Sequence, residues 1–232
     1  MSDDHIRPVY KRTIILAITP RSGSTQLCSM LAKDGRFGAP TEFFNTRGTM
    51  ERHMAHFGVS SLPDLVHAAA DAAPEVFVFK VAWPDWQPFA HRAKTVFPAA
   101  AYVFLDRHHT DAQAVSLYRA ALTGAWHRRA HEPRGEAREV PFDPVAIERA
   151  RATTQAQREG WSRWFFDNDI VPLSLMYEHL MANPDKVVAA MCSHALIAPP
   201  TKTLEGDLTI LRDATSEQWC ERLRRLRRGE AG

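Results

Sequence analysis

Cysteine is scarce in this chain of 232 residues, and the three present, Cys28, Cys192 and Cys220, are odd in number and show no CxxC spacing. That argues against a disulfide framework and for reduced thiols inside a cell. Long hydrophobic runs are lacking too. The polar start MSDDHIRPVYKR gives way only to a short apolar stretch, Ile14 to Ile18, too short for a signal-peptide core or a membrane span. No sign of charge dominates: 29 basic and 27 acidic residues leave a net +2. Nothing then draws the whole molecule to nucleic acid or to a membrane, and an anion site must be local. No internal repeat or low-complexity tract breaks the chain. The expectation is one cytoplasmic domain spanning residues 1–232, with volume enough for a full core.

What is present is an alternation of two patterns. Four apolar runs, Thr13–Ile18, Val76–Trp83, Ala101–Leu105 and Ile170–Tyr177, are nearly continuous and rich in Val, Ile, Phe and Leu. Strands covered on both faces have this composition. Helical patterns lie between them at Gln26–Lys33, Leu62–Ala73, Pro88–Val96, Asp111–Trp126, Asp143–Asp167 and His179–Ala195. The predicted class is α/β, with a central, mostly parallel sheet flanked by helices. A last helix is expected from Thr215, with Thr215-x-x-Gln218 as a capping box and Trp219, Leu223 and Leu226 as its apolar stripe. The arginines of RLRRLRR then form a solvated face, so no nucleic-acid partner is expected. The charged stretch Arg128–Pro141, with Pro and Gly, reads as a surface loop near the site.

The sharpest local feature is Thr19-Pro20-Arg21-Ser22-Gly23-Ser24-Thr25, between the first strand and the first helix. Ligands of open α/β sheets bind there. Unpaired N–H groups at a helix start favour an anion, and Gly23 lets the backbone come close. Ser22, Ser24 and Thr25 add hydroxyls, and Arg21 adds a charged fork. The motif is not a Walker A loop, because it lacks the second glycine and the lysine. One 5′-phosphate suits it better than a triphosphate. The third strand ends in Asp106-Arg107, and Ser116 follows nine residues after Arg107. An arginine at a strand end and a serine inside the next helix can converge on a second anion. Two phosphate sites on one sheet edge suggest a ligand phosphorylated at both ends of a ribose.

Lys80 stands inside an apolar strand, where an unpaired charge is costly. It reads either as a group stabilising the transferred or leaving group or as half of a buried ion pair. Trp83 and Phe44 read either as platforms for a sugar or as core residues. His127 and His131 stand four apart but outside an HExxH context, so no metal is expected.

TPRSGST after a strand, followed by LDRHHTDAQAVSLYRA, resembles the two phosphate motifs of PAPS-dependent sulfotransferases, and the chain as a whole resembles the bacterial trehalose 2-sulfotransferase family. The supporting segments are Gly38-x-Pro40-x-Glu42-Phe43-Phe44, Lys80-x-x-Trp83, Ala112-Gln113-Ala114-Val115-Ser116, Gly160-Trp161-x-x-Trp164-Phe165 and Ser216-x-x-Trp219, in order along nearly the whole chain. The resemblance implies a P-loop-like sulfotransferase fold and transfer of a sulfuryl group from PAPS, with PAP as product, to a hydroxyl of a carbohydrate or glycolipid. It implies no metal, no membrane insertion and a homodimer. It places Arg21, Ser22, Gly23, Ser24 and Thr25 around the 5′-phosphosulfate, Arg107 and Ser116 on the 3′-phosphate, and Tyr177 near adenine, unless Tyr177 is a core residue. It makes Glu42 the general base, with Phe43 and Phe44 beside it expected to desolvate the carboxylate. The alternatives are a small-molecule kinase with the same loop, disfavoured by the missing Walker lysine, and a nucleotide-binding protein without catalysis.

Overall fold

The computed structural model describes residues 7–126, 140–207 and 213–230. In chain order the elements are β1 (Thr13–Ile18), α1 (Ser24–Leu31), α2 (Thr49–Phe57), α3 (Leu62–Ala72), β2 (Phe77–Ala82), α4 (Trp83–Trp86), α5 (Ala93–Val96), β3 (Ala101–Asp106), α6 (Thr110–Thr123), α7 (Pro144–Asp167), β4 (Leu173–Met176), α8 (Tyr177–Ala182), α9 (Pro184–His194) and α10 (Ala214–Arg227). The four strands form one parallel sheet in the order β2-β1-β3-β4. The α/β expectation with a parallel sheet therefore holds. Every residue of β1 is buried, because it lies between two strands and is covered above and below.

Alternation along the strands sorts the core. Ile15 and Ala17 join Phe77, Phe79 and Val81 on one face, packed against Trp161, Trp164 and Phe165 of α7. Ile14, Leu16 and Ile18 turn to the other face, against Leu27, Cys28 and Leu31 of α1 and Val187, Val188 and Met191 of α9. A smaller cluster joins Ala114, Val115 and Tyr118 of α6 to Ile147 of α7 and Trp219 and Leu223 of α10. All three cysteines are buried, and none is in a disulfide. Among the described residues, no helix is long and apolar enough to cross a membrane.

Several boundaries differ from the expectation, each for a local reason. The fourth strand spans only Leu173–Met176, where it pairs with β3, and Tyr177 already opens a helix. The helix expected over His179–Ala195 is broken at Asn183, because Pro184 has no N–H to continue the ladder. Pro88–Val96 is a 3-10 turn at Ala90–Arg92 followed by one turn of α-helix. The cap of α10 is Asp213, whose carboxylate accepts from the Ser216 N–H at 2.9 Å, not Thr215. Leu226 and Leu122 are exposed. Helix α2 was not expected at all. Residues 127–139, and with them His127, His131 and most of the loop read at 128–141, lie outside the described residues.

Candidate functional site

The parallel register decides which residues meet. Ile18 pairs with Ala82 on one side and Leu105 on the other, and Asp106 pairs with Met176. The residues that follow, Thr19, Trp83, Arg107 and Tyr177, therefore emerge together along the carboxyl edge of the sheet, where β1 is flanked by strands reached in opposite directions.

The loop after β1 is tightly bent. Arg21 (φ 63°) and Gly23 (φ 85°) both take left-handed backbone conformations. The Gly23 carbonyl accepts from Leu27 N at 3.1 Å and starts α1, leaving the preceding N–H groups without intrahelical acceptors. Among the described residues, the Ser22 hydroxyl is buried with no hydrogen-bond partner. A buried orphan is costly in a finished core and normal where a ligand completes the site. Gly23 is required twice, since a Cβ there would also lie 2.5 Å from the Tyr177 ring. Gly23→Ala is expected to destabilise the protein by at least about 1–2 kcal/mol, read as a lower urea midpoint at unchanged slope.

Arg107 is buried, its guanidinium 4.4 Å from the centre of the Tyr177 ring, and its Nη1 donates to the Arg21 carbonyl at 3.4 Å. Glu178 fixes the turn beyond it by accepting from His108 N at 3.0 Å and His109 N at 3.1 Å. The side chain of Arg21 leaves its own loop and donates from Nε to Ser116 Oγ at 2.9 Å and from Nη1 to the Trp126 carbonyl. This corrects the sequence reading, which grouped Arg21 with the loop: Arg21, Arg107 and Ser116 form one cluster. Burial first, and then the charge of Arg107, push the pKa of Arg21 down. Two like charges side by side, Arg107 buried and Arg21 half-buried, suit an anion.

On the other side of the loop, Thr41 bridges to Phe79, and Lys80 N donates to the Thr41 carbonyl at 3.0 Å. That pairing carries Glu42 to Lys80, with Nζ 3.0 Å from Oε1. Lys80 Nζ also donates to Thr25 Oγ1 at 2.8 Å, and Asn45 Nδ2 donates to Glu42 Oε2 at 2.6 Å. Lys80 is thus ion-paired, and its partner is Glu42, whose side chain is only half-buried. Phe43 and Phe44 both turn into the core, so Lys80 and Asn45, not the rings, define the polar surroundings of Glu42. Phe44 is 2% exposed, against Phe79, Trp86 and Phe89 at ring distances of 5.2, 5.6 and 5.0 Å. It is a core residue and not a sugar platform. Trp83 is half-buried at the sheet edge, edge-on to Trp161 and packed over Gly160. Sequence reasoning missed Asp85, whose pKa is raised by burial, with Glu42 adding to the effect. Its signal was proximity to Trp83 alone. Among the described residues no group of three or more His, Cys, Asp or Glu is placed to hold a metal.

The family model of the Stf0 sulphotransferases matches residues 13–83 and 77–226. The chain belongs to that family. This sulfotransferase is 27% identical to trehalose 2-sulfotransferase of Mycolicibacterium smegmatis over 254 aligned residues, covering 91% of this chain and 94% of that protein. It is 30% identical to the trehalose 2-sulfotransferase of Mycobacterium tuberculosis over 125 residues, 53% of this chain and 45% of that one. Among solved structures, a sulfotransferase from Alicyclobacillus acidocaldarius superposes with a TM-score of 0.54 at 12% identity over 97% of each chain. The sulfotransferase domain from the curacin biosynthetic pathway gives 0.51 at 12% identity, over 91% of this chain and 96% of that one. These structures speak to the fold, which is the P-loop-like sulfotransferase fold. The Stf0 sulphotransferase is thus an enzyme of sulfuryl transfer, and the kinase alternative falls.

Proposed function

We propose that the donor is PAPS and that the acceptor is a hydroxyl of a carbohydrate or glycolipid. The observation that carries this reading is the split of the site. One donor cluster, Arg21, Arg107 and Ser116, lies on one side of the β1 loop, and Lys80, joined to both Thr25 and Glu42, lies on the other. A nucleotide with phosphate at its 3′ position and phosphosulfate at its 5′ position needs two such grips, separated by a ribose.

In this reading the N–H groups and hydroxyls of Ser22 to Thr25 bind the 5′-phosphosulfate, and the orphaned Ser22 hydroxyl gains its partner there. Arg21, Arg107 and Ser116 hold the 3′-phosphate. Tyr177, one face already covered by Arg107, flanks the adenine with what remains of its ring. Glu42 accepts the proton of the acceptor hydroxyl as its oxygen bonds to sulfur and the bond from sulfur to the phosphate oxygen breaks. Lys80 stabilises the negative charge that gathers on that phosphate oxygen. Trp83, at the same edge, faces the acceptor. The chain works as one domain in the cytoplasm, a setting that suits three cysteines outside any disulfide, and as the homodimer implied by its family resemblance.

Two measurements test the donor. PAP should bind wild type in calorimetry, and PAPS should sulfate at least one member of a panel of sugars, glycolipids and small alcohols, read by mass spectrometry. Arg107→Ala is expected to raise the PAP dissociation constant at least about tenfold, on the order of 1.4 kcal/mol. An unchanged constant removes Arg107 from the donor site.

A further inference from the structure

Beneath the loop lies a closed ring of polar side chains drawn from four elements. Thr19 follows β1, Asp106 ends β3, Gln113 stands in the first turn of α6, and Arg158 comes from α7. Thr19 Oγ1 donates to Asp106 Oδ1 at 3.0 Å and accepts from Gln113 Nε2 at 2.8 Å. Gln113 Nε2 also donates to the Pro20 carbonyl at 2.8 Å, and its Oε1 accepts from Arg158 Nη2 at 3.5 Å. Arg158 closes the ring on Asp106 with both arms of its fork, Nε to Oδ2 and Nη2 to Oδ1, the latter at 2.9 Å. Thr19 and Gln113 are 0% exposed and Asp106 is 5% exposed. A buried network of this kind, with donors and acceptors matched, holds a single geometry, because any slip leaves a polar group unpaired in a low dielectric.

The position of the ring along the chain gives it meaning. Thr19 lies two residues before Arg21 and three before Ser22, Asp106 immediately precedes Arg107, and Gln113 stands one helical turn before Ser116. Each is coupled by a rigid stretch of backbone to a group of the anion clusters. Arg158 has no such neighbour. Its hydrogen bonds go to Asp106, to Gln113 and to Gln155 on its own helix.

We propose that Arg158 is a positioning residue for sulfuryl transfer, which through this ring locks the β1 loop, Arg107 and the start of α6 in one mutual arrangement before the donor binds. The assignment rests on the two-anion reading of the donor site. It needs arginine in particular. A lysine keeps the charge opposite Asp106 but cannot present two parallel N–H groups to one carboxylate. The benefit is preorganisation, since groups held in place lose less freedom on binding.

The test compares wild type, Arg158→Met and Arg158→Lys. The lysine variant retains a cation beside buried Asp106, so it keeps the experiment readable if the methionine variant does not fold. Amide hydrogen exchange of residues 19–27 without ligand is expected to quicken about tenfold in the variants, with β1 unchanged. The PAP dissociation constant should rise about tenfold with it. Exchange and PAP affinity both equal to wild type in Arg158→Lys would overturn the assignment. So would exchange that quickens equally in β1 and residues 19–27, which marks a general loss of scaffold. Faster exchange confined to residues 19–27, in a protein whose wild type fails to bind PAP, upholds the ring and rejects the donor reading instead.

Discussion

Replacing Glu42 by Gln is expected to lower kcat by about 10²–10⁴-fold, the usual contribution of a positioned general base, with the PAP dissociation constant within about twofold of wild type. The substitution keeps the size of the side chain, and its one remaining oxygen can still accept from Lys80 or from Asn45, which now donate to separate carboxylate oxygens at 3.0 and 2.6 Å. What it removes is the capacity to take a proton, together with the charge opposite Lys80. The separation of the two readouts follows from the layout of the site, because Glu42 lies on the Lys80 side of the loop and the cluster of Arg21, Arg107 and Ser116 on the other. Steady-state kinetics with PAPS and the best acceptor, beside calorimetry with PAP, give the answer. If Glu42→Gln retains wild-type kcat, Glu42 is not the base.

Lys80→Met should be nearly as severe, with kcat down by about 10²–10³, the range for loss of one preorganised donor at a centre of developing charge. Lys80 is 8% exposed and spends its ammonium on Thr25 Oγ1 and on Glu42. Removing it therefore disturbs the loop after β1 and Glu42 at once. For that reason the Glu42→Gln/Lys80→Met double variant is expected to lose much less than the product of the two single losses, as residues acting as one unit do. Multiplicative losses would show that the two act in separate steps. The damage to stability should be modest, since the Glu42 side chain is 28% exposed and water can reach the carboxylate once its partner is gone.

The sheet was legible because its strands are short, apolar and bounded by turn residues. Thr13–Ile18 appears with the bounds read from sequence, since a strand buried on both faces leaves no alternation to misjudge. Helix α2 was overlooked although a short stripe, Met50, Met54 and Phe57, marks it: only three apolar residues between Gly48 and Gly58 carry the period, and none of its nine residues is fully buried. Within the site, the loop from Thr19 to Thr25 and the pair Arg107 and Ser116 could be found from local chemistry. The direction of Arg21 could not, because the turn that sends it to Ser116 depends on a left-handed backbone at a residue that rarely takes one. Phe44 misled because an aromatic beside a candidate base looks the same in sequence whether it faces a ligand or the core. Arg158 gave no local signal. It stands on a helix whose exposed face is rich in charge, and only the fold brings it to Asp106.

Helix α2 bears on how such an enzyme changes its preferences. It begins four residues after Asn45, the partner of Glu42, and is bounded by Gly48 and Gly58, both left-handed. Its packing on the core runs through half-buried Met50, Met54 and Phe57. Substitutions on its outer surface should therefore cost little folding free energy. Evolution can then rewrite the surroundings of Glu42 one mutation at a time, while Arg107 and the loop after β1, bolted into the sheet, stay as they are.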